Sequence, residues 1–442
     1  MRAYDSYTAT DLAWVGAVPS HWNLAKFGRH IRIAEGQVDP LIEPYASMPL
    51  IAPNHIESGT GRILEIESAR DQGAISGKYQ YEKGAVLYSK IRPALAKVAV
   101  APEAGLCSAD MYPLDGGSYF APTFLAYVLL HPGFTAWAVL ESDRVAMPKI
   151  NREKLNERRL PLPPLPEQRA IAGFLDRETA KIDALVEEQR RLIALLKEKR
   201  QAVISHAVTK GLDPAAPMKP SGIDWLGDIP AHWEARSINA LSNKITNGYV
   251  GPTRDILVEV GVRYLQSLHI KRNEIRFERP YFVTPEWSSD HAKSILQIED
   301  VLIVQTGDIG QVAVVTEEFA GCNCHALIIV APDLTQISGR WLTWVLASQY
   351  GQNMLHSIKT GALHPHLNCG NVKFVVCPVP PLEEQEQVIA YLEQTLGRFD
   401  ALQAEAERAI TLLQERRSAL ISAAVTGKID VRDTTSNSTE AA

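Results

Sequence analysis

The chain is poor in cysteine and lacks any long hydrophobic run. Five cysteines are spread unevenly over 442 residues, which does not suit a disulfide framework and indicates a reducing compartment. A membrane-spanning helix needs about 20 consecutive apolar residues, and no stretch approaches that length. Residues 1–5 do not open a signal peptide. We therefore expect a cytoplasmic protein that makes no contact with a membrane.

The chain also lacks an excess of positive charge. It has 45 lysines and arginines against 51 aspartates and glutamates, a formal net charge of −6. This balance argues against a protein that coats nucleic acid by bulk charge, but it leaves room for a local basic groove. A hydrophobic content of 46% with 22% charged residues is ordinary for a globular protein. The length predicts two to four compact units.

Motifs of common catalytic sites are missing. The nearest approach to a phosphate-binding loop, residues 73–79, is one residue short between its glycines and lacks the serine or threonine hydroxyl after Lys78. There is no Gly-x-Ser-x-Gly turn and no His-Glu-x-x-His pair. Cys322, Cys324 and His325 with Cys369 suggest a zinc site, but one residue between cysteines is not the usual spacing, which favours buried thiols. The sequence predicts a non-catalytic chain without metal.

What the chain does contain is an internal repeat. The triplet at 163–165 returns at 380–382, a displacement of 217, and the same displacement relates Glu167-Gln168 to Glu384-Gln385. A second motif lies near the start of each half, where Trp14-x-Gly16-x-x-Pro19-x-His21-Trp22 recurs as Trp225-x-Gly227-x-x-Pro230-x-His232-Trp233. Two long copies make a pseudo-dimer in one chain, which suits a partner that is itself nearly two-fold symmetric.

Each copy ends in a predicted helix of about 44 residues, roughly 66 Å long. Residues 166–209 and 383–426 each contain one glycine, follow a proline-rich stretch and stop before Gly211 and Gly427. Steps of four and three place a seam on each helix, typical of a coiled coil: Ile171, Leu175, Glu178, Ile182, Leu185, Gln189, Leu192, Leu196, Lys199 and Val203, then Val388, Leu392, Thr395, Phe399, Leu402, Ala406, Ala409, Leu413, Arg416 and Leu420. We interpret the basic cluster within 190–200 as a solvated helix face.

The segments before the helices, residues 1–155 and 213–372, are predicted to be mixed α/β. Strands are expected at 84–88, 98–100, 300–304 and 312–315, and short helices at 124–130 and 341–347. The loops between the paired strands, 89–93 and 305–311, differ in content, which favours two different recognition surfaces over divergence without functional meaning. The other predicted segments are two spacer helices, at 156–212 and 373–430, and a disordered tail at 431–442. An exposed linker is predicted at 213–220, directly after the first of these helices.

This order of segments and motifs resembles the specificity subunits of type I restriction–modification enzymes, over nearly the whole chain. The resemblance implies an α+β protein with two mixed α/β target recognition domains, joined by two long antiparallel coiled-coil helices. Each domain would read one half of a split, asymmetric sequence in double-stranded DNA, and the helices would fix the gap between the halves.

The resemblance also implies partners. Two methyltransferase subunits that carry S-adenosylmethionine would dock on the helices and methylate adenine N6. Two motor-nuclease subunits that use ATP and Mg would translocate and cut unmethylated DNA. This chain itself would hold no cofactor.

Candidate DNA contacts are polar and basic residues of both domains: Asn54, His55, Lys78, Tyr79, Lys90, Arg92, Lys97, Lys149, Arg152, Asn247, Tyr249, Arg254, Gln266, His269, Lys271, Arg272, Gln305, Thr306, Gln311, His364 and His366. Candidate partner contacts lie on the helices: Glu167, Gln168, Leu175, Ile182, Leu185, Leu192, Leu196, Glu384, Gln385, Leu392, Phe399, Leu402 and Leu413. Three alternatives stay open: a coiled-coil hub that binds proteins and no DNA, a self-contained enzyme of DNA metabolism, and a specificity subunit of a related defence system without the usual nuclease.

Overall fold

The computed structural model describes residues 2–142, 147–361 and 365–432. They divide into two compact units. The first unit runs to residue 189 and resumes at residue 407, and the second comprises residues 190–406. Each unit therefore contains one globular domain, the first half of one long helix and the second half of the other.

The domain of the first unit is built on two four-stranded sheets. The strand orders are β6-β5-β10-β7 and β4-β11-β8-β9, and β5 pairs with β10 in parallel. The strands are β1 (Tyr7–Ala9), β2 (Ala17–Pro19), β3 (Asn23–Lys26), β4 (Arg32–Ile33), β5 (Pro49–Ile51), β6 (Glu67–Ser68), β7 (Tyr79–Tyr81), β8 (Val86–Ser89), β9 (Val98–Val100), β10 (Gly105–Cys107), β11 (Met111–Asp115) and β12 (Arg159–Leu162). The helices are α1 (Phe27–His30), α2 (Pro122–Leu130), α3 (Pro132–Leu140), α4 (Arg152–Glu157) and the long α5 (Leu165–Lys210).

The domain of the second unit repeats this plan. Its sheets have the orders β17-β21-β18-β24 and β16-β25-β22-β23, and β18 pairs with β24 in parallel, as β5 does with β10. The strands are β13 (Met218–Pro220), β14 (Asp228–Pro230), β15 (Glu234–Ser237), β16 (Ser242–Asn247), β17 (Leu257–Val258), β18 (Val262–Leu265), β19 (Ile270–Lys271), β20 (Glu274–Ile275), β21 (Phe282–Val283), β22 (Val301–Val304), β23 (Val312–Val314), β24 (Asn323–Cys324), β25 (Leu327–Pro332) and β26 (Val376–Val379). The helices are α6 (Pro285–Asp290), α7 (Gly339–Ala347), α8 (Gln349–Ser357), α9 (Cys369–Val372) and the long α10 (Leu382–Val425).

In each domain two short helices, α2 and α3 or α7 and α8, share a core with a sheet and the long helices. In the first unit α2 is apolar on nearly all sides and seven of its nine residues are buried, as expected of a helix enclosed by neighbours. The same core contains Ile171 and Leu175 of α5 with Ile421 and Val425 of α10. The start of α5 and the end of α10 are thus part of the core of the first unit.

The prediction of two long helices is confirmed, with 46 residues in α5 and 44 in α10. Both end before a glycine in the left-handed region, where φ is 75° at Gly211 and 73° at Gly427. A side chain at Gly427 would approach Pro19 to 2.3 Å and Trp22 to 3.2 Å. The repeated Trp-x-Gly-x-x-Pro-x-His-Trp motif therefore covers the C-terminal end of a long helix, and glycine is needed there for space as well as for φ.

The two long helices pair in opposite directions. In the first unit Arg417 forms an ion pair with Asp183 (Nε–Oδ1 2.9 Å), and in the second Arg200 forms one with Asp400 (Nη1–Oδ1 2.7 Å). Moving forward from 183 to 200 on α5 moves the partner back from 417 to 400 on α10, as antiparallel helices require. The displacement of 217 converts one ion pair into the other, which confirms the predicted pseudo-two-fold repeat.

The predicted seam is wrong in the middle of each helix. Ile182 and Leu196 are buried, but Leu185, Leu192 and Leu402 are 45%, 40% and 46% exposed, and Val186 is buried instead of Leu185. A helix of 3.6 residues per turn drifts about 20° per heptad from a strict 3.5-residue seam. The buried stripe therefore passes to neighbouring positions, and several leucines are left facing outward.

Most of the linker 213–220 is exposed, as predicted, and its last three residues form β13, which pairs with β14. One further expectation needs correction. In the tail, Val431 is buried in the first core and Arg432 contacts Asp430, so the predicted disorder does not hold for these two residues; residues 433–442 lie outside the described ranges. In the described part of the chain no single helix has the length and apolar character of a membrane span, and α2 and α3 reach both only as a pair bent by 63°.

Candidate nucleic-acid interface

A pair of loops carries most of the predicted DNA contacts of the first domain. The β8–β9 loop is held against residues 147–152 by backbone hydrogen bonds, from Arg92 N to the carbonyl of Pro148 (2.7 Å) and from Ile150 N to the carbonyl of Lys90 (2.9 Å). The structure thereby brings together Lys90, Arg92, Lys149 and Arg152, which lie up to 62 positions apart in the sequence.

These cations surround two tyrosines. Lys90 Nζ lies 5.3 Å from the ring centre of Tyr112, and the Arg152 guanidinium lies 5.2 Å from the same ring and 5.7 Å from that of Tyr79. Burial, with the positive charge of Lys149 nearby, lowers the pKa of the Lys90 ammonium. Positive charges held close together at a partly buried site favour the binding of an anion. In protein–DNA complexes, contacts to phosphate position the protein on the duplex.

The backbone of this loop is under local strain. Arg92 and Ala96, which flank the 3-10 turn Pro93–Leu95, have φ values of 47° and 43°. Residues with side chains rarely adopt this left-handed conformation, and it concentrates at functional sites. Arg92 is exposed, so the strained turn presents its guanidinium to solvent.

The second domain keeps this backbone arrangement and changes the side chains. Leu367 N donates to the carbonyl of Gln305 at 2.9 Å, which repeats the bond from Ile150 to Lys90. At the positions of Lys90, Lys149 and Arg152 the second copy has Gln305, His366 and Cys369. The Cys369 thiol donates to the Asn247 amide oxygen (2.9 Å). The same backbone arrangement therefore carries three lysine or arginine side chains in one domain and none at the matching positions of the other.

An aromatic cluster surrounds Tyr249 in the second domain. The Trp287 and His291 rings lie 5.1 Å from it and stack on each other at 3.9 Å, and the His325 ring lies 6.4 Å away. Tyr249 is a predicted DNA contact, whereas Trp287 and His291, which lie against it, are not among the predicted residues. Their spacing of four residues on one helical turn was the available signal, but it does not distinguish a surface cluster from a core.

Several predicted contacts have internal partners. Lys78 is 7% exposed and its Nζ bonds to the backbone and hydroxyl of Ser76. His269 is fully buried, accepts from Gln266 N (2.9 Å) and donates to the Arg279 carbonyl (2.7 Å). His55 accepts from Ala52 N, and Lys97 donates to the Pro53 carbonyl.

The other predicted contacts lie on loops and turns. Asn54 and Arg254 are exposed, as are Lys271 and Arg272 at one hairpin, Thr306 in the β22–β23 loop and His366, whereas Gln311 in that loop is half-buried. His364 falls outside the described residues. Which of these side chains touch DNA stays a prediction.

The Glu-Gln pair at the start of each long helix seats the domain on that helix. Glu167 accepts hydrogen bonds from Tyr4 (2.5 Å), His21 (2.8 Å) and Trp22 Nε1 (3.1 Å). Gln168 accepts from Ala121 N (2.8 Å) and donates to the carbonyls of Tyr119 (2.8 Å) and Pro163 (2.9 Å).

The second copy repeats the glutamine bonds, but of the three bonds to the glutamate it keeps the one from histidine and lacks the one from tryptophan, since Trp233 Nε1 is buried without a partner among the described residues. Gln385 accepts from Ser338 N and donates to the carbonyls of Gln336 and Pro380, each at 2.9 Å, and Glu384 pairs with His232 at 2.7 Å. A buried amide that satisfies three backbone groups is costly to replace. These residues therefore have a structural role, and their contact with partner subunits stays a prediction.

The cysteines are buried or half-buried thiols, without a disulfide. Burial raises the pKa of Cys107 to about 12 and that of Cys322 to about 11, so neither is a reactive thiolate near neutral pH. Across residues 2–142, 147–361 and 365–432, no group of three histidine, cysteine, aspartate or glutamate side chains has the geometry to hold a metal ion.

The duplicated α/β domain on long helices is the architecture of solved HsdS proteins. A chain solved in work on complex assembly and conformational transition of the type I R-M system has a TM-score of 0.69 at 20% identity, covering 93% of this chain and 99% of that one. The HsdS subunit of Thermoanaerobacter tengcongensis has a TM-score of 0.52 at 19% identity, covering 93% and 98%.

The sequence comparison names the family. The family model for the type I restriction modification DNA specificity domain matches residues 39–193 and 230–411, more than half of the chain. The chain therefore belongs to the type I restriction–modification specificity subunits, and its two matched regions correspond to the internal repeat.

Named relatives agree with this assignment. The EcoDI specificity subunit of Escherichia coli is 32% identical over 228 residues, 52% of this chain and 47% of that protein. The EcoBI specificity subunit of Escherichia coli is 24% identical over 67% of this chain and 64% of that protein. The putative MjaX specificity subunit of Methanocaldococcus jannaschii is 22% identical over 95% of this chain and 96% of that protein. The match thus spans about half the length of the EcoDI subunit and under two thirds of the EcoBI subunit.

Proposed function

We propose that this chain selects the DNA sequence on which a type I restriction–modification complex acts. Each domain binds one half of a bipartite, asymmetric site in double-stranded DNA. The observation that supports this most is the repeated loop backbone with different side chains, with Lys90, Lys149 and Arg152 in one domain and Gln305, His366 and Cys369 at the matching positions of the other. Base edges are distinguished by the donors and acceptors they meet, so two unlike loop surfaces suit two unlike half-sites.

The paired helices serve as the spacer between half-sites. Their antiparallel ion pairs, Asp183–Arg417 and Asp400–Arg200, hold the two helices in one register. A helix rises 1.5 Å per residue, so the length of the pair sets a distance along the duplex.

The helices also dock two methyltransferase subunits. Each unit exposes an equivalent set of leucines, Leu185 and Leu412 in the first and Leu402 and Leu195 in the second, between 45% and 64% exposed. Two equivalent pairs of exposed leucines suit two copies of one partner. The methyltransferase subunits bring S-adenosylmethionine, extrude the adenine and methylate its N6 atom, while this chain sets their register on the DNA.

Motor-nuclease subunits with ATP and Mg complete the complex and cut unmethylated sites. The chain itself contributes recognition and no catalysis, in the cytoplasm where the chromosome lies. The alternative is that this chain is the specificity subunit of a related defence system without that nuclease, in which its recognition of DNA would be the same.

Mapping of N6-methyladenine tests the proposal. The chain is expressed with its cognate methyltransferase subunit in a methylation-free host, and the genome is sequenced for modified adenines. We expect one split sequence with a constant gap, methylated once on each strand. Methylation of a single uninterrupted sequence would contradict the proposal, as would an unmodified genome when the complex has assembled. A coiled-coil hub would bind the partner and leave duplex DNA unbound at every salt concentration.

A further inference from the structure

A tight hairpin of the second domain carries an arginine in an unusual conformation. β19 and β20 pair with Ile270 opposite Ile275 and Lys271 opposite Glu274, so Arg272 and Asn273 alone form the turn. Their φ values are 54° and 66°, as in the two-residue type I′ turn that glycine and asparagine favour. Arginine at the first position keeps a cation at the tip at some cost in backbone energy, and such strain concentrates at functional sites.

The hairpin borders a cationic cleft. The cleft has a volume of about 630 Å³ and is lined by Lys271, Arg272, Arg276 and Arg279, with Glu278, Asp308, Gln311 and Leu268 completing the wall. Arg276 pairs with Glu274 at 3.2 Å. Among the described residues the side chains of Lys271, Arg272 and Arg279 have no ion-pair partner. Four cations against two carboxylates in the wall leave the cleft positive.

The corresponding hairpin of the first domain has a different charge and a different attachment. The pairing of Ile56 with Ile63 matches that of Ile270 with Ile275, which sets Glu57 where the second domain has Lys271. The Leu64 N–H donates to the His55 carbonyl, and in the second domain the Arg276 N–H donates to the His269 carbonyl in the same way. Leu64 therefore occupies the position of Arg276.

The tip of that first hairpin is bound to the long helix. The Gly59 and Thr60 carbonyls accept hydrogen bonds from Arg417 at 2.8 and 2.9 Å. The hairpin of the first domain is thus hydrogen-bonded to the long helix, whereas the hairpin of the second domain carries cations without an ion-pair partner among the described residues.

We propose that Lys271, Arg272, Arg276 and Arg279 bind phosphate groups of the DNA backbone. This inference rests on the proposed function, and it identifies the side chains through which the second domain binds the DNA backbone. The first domain holds its cations at the β8–β9 loop. The second domain has no lysine or arginine at the matching positions 305, 366 and 369, and its cluster of lysine and arginine lies on the hairpin. The two domains therefore bind the DNA backbone through different elements of the same fold.

The variant Arg272→Asn removes the charge without disturbing the turn, because asparagine tolerates φ above zero better than arginine does. The full chain with its methyltransferase subunits is titrated against a labelled duplex carrying the methylated sequence and against a random duplex, over a range of salt. We expect an unchanged or higher melting temperature and equal losses of affinity for both duplexes. The slope of log K against log salt should fall by about 1. Arg272→Lys should restore the slope.

Arg62→Gln is the matched control, because Arg62 pairs with Glu57 across the corresponding hairpin of the first domain at 3.1 Å. It should leave the slope unchanged. An unchanged slope for Arg272→Asn would overturn the inference, as would a change of preference at one base pair in place of a uniform loss. Failure of the wild-type complex to bind any duplex would instead overturn the proposed function, and this inference with it.

Discussion

Arg417 joins the two long helices and a loop of the first domain in one contact. Its guanidinium pairs with Asp183 at 2.9 Å and donates to the Gly59 and Thr60 carbonyls, and the residue is 7% exposed. Its repeat counterpart Arg200 also pairs with the counterpart carboxylate, Asp400, but that pair is more open, with side chains 28% and 59% exposed. The two ion pairs are equivalent in position and unequal in burial.

Arg417→Ala should therefore destabilise the protein far more than Arg200→Ala. The first change leaves two carbonyls and a carboxylate without a donor, at a cost of about 3 kcal/mol. The second removes an exposed pair worth about 1 kcal/mol or less. Urea unfolding followed by circular dichroism measures both, and the helix propensity change is the same in each. Equal losses would show that the bonds to the loop carbonyls contribute nothing.

Stability should fall in mild acid because of His131. Its Nδ1 accepts from Gly133 N and its Nε2 donates to Ser422, each at 2.8 Å. Burial, aided by the nearby charge of Lys428, lowers the pKa of His131 from 6.5 to about 4. Between those values the unfolded chain binds a proton that the folded chain does not, so the contribution is complete above pH 6.5 and is lost as pH falls towards 4, about 3 kcal/mol in total.

The variant His131→Ser offers a matched comparison, since the second copy has Ser348 at this position, where its hydroxyl accepts from Gly351 N (3.1 Å). Denaturant unfolding between pH 4 and 7 should show a shallower pH dependence in the variant. Identical pH profiles for the two proteins would assign the acid sensitivity to other groups.

Exchange of residues 1–155 for the corresponding segment of another specificity subunit should change one half-site and leave the other. The reason is that each domain has its own sheets and its own core. Methylation mapping of the hybrid reports both halves in one measurement. A simultaneous change of both half-sites would contradict independent recognition.

Lengthening the helix pair should widen the gap. Four residues inserted within 187–199 of α5, with four more at the corresponding place within 404–416 of α10, add about 6 Å and keep the antiparallel register. At about 3.4 Å per base pair this predicts a gap longer by about two base pairs. Insertion in α5 alone serves as the control. It prevents the ion pairs Asp183–Arg417 and Arg200–Asp400 from forming together, so it should reduce methylation. A gap that stays constant in the double insertion would exclude the spacer role.

The sequence by itself determined the repeat and the long helices. Proline before a helix, glycine after it and about 44 residues free of strong breakers act locally, so the bounds of α5 and α10 were predicted to within one residue. Strand pairs around the β8–β9 and β22–β23 loops were equally visible, because short apolar runs and turn residues are also local signals.

Tertiary structure decided which side chains face solvent. Lys78 and His269 look like surface residues in the sequence, yet the folded domain buries both beside backbone groups that need them. Leu185 fits a strict seam, but the drift of a real helix turns it outward. The cleft of Lys271, Arg272, Arg276 and Arg279 depends on a two-residue turn and on the distant β22–β23 loop. Burial and charge clustering arise from contacts between segments far apart in the chain, and one-dimensional patterns do not encode those contacts.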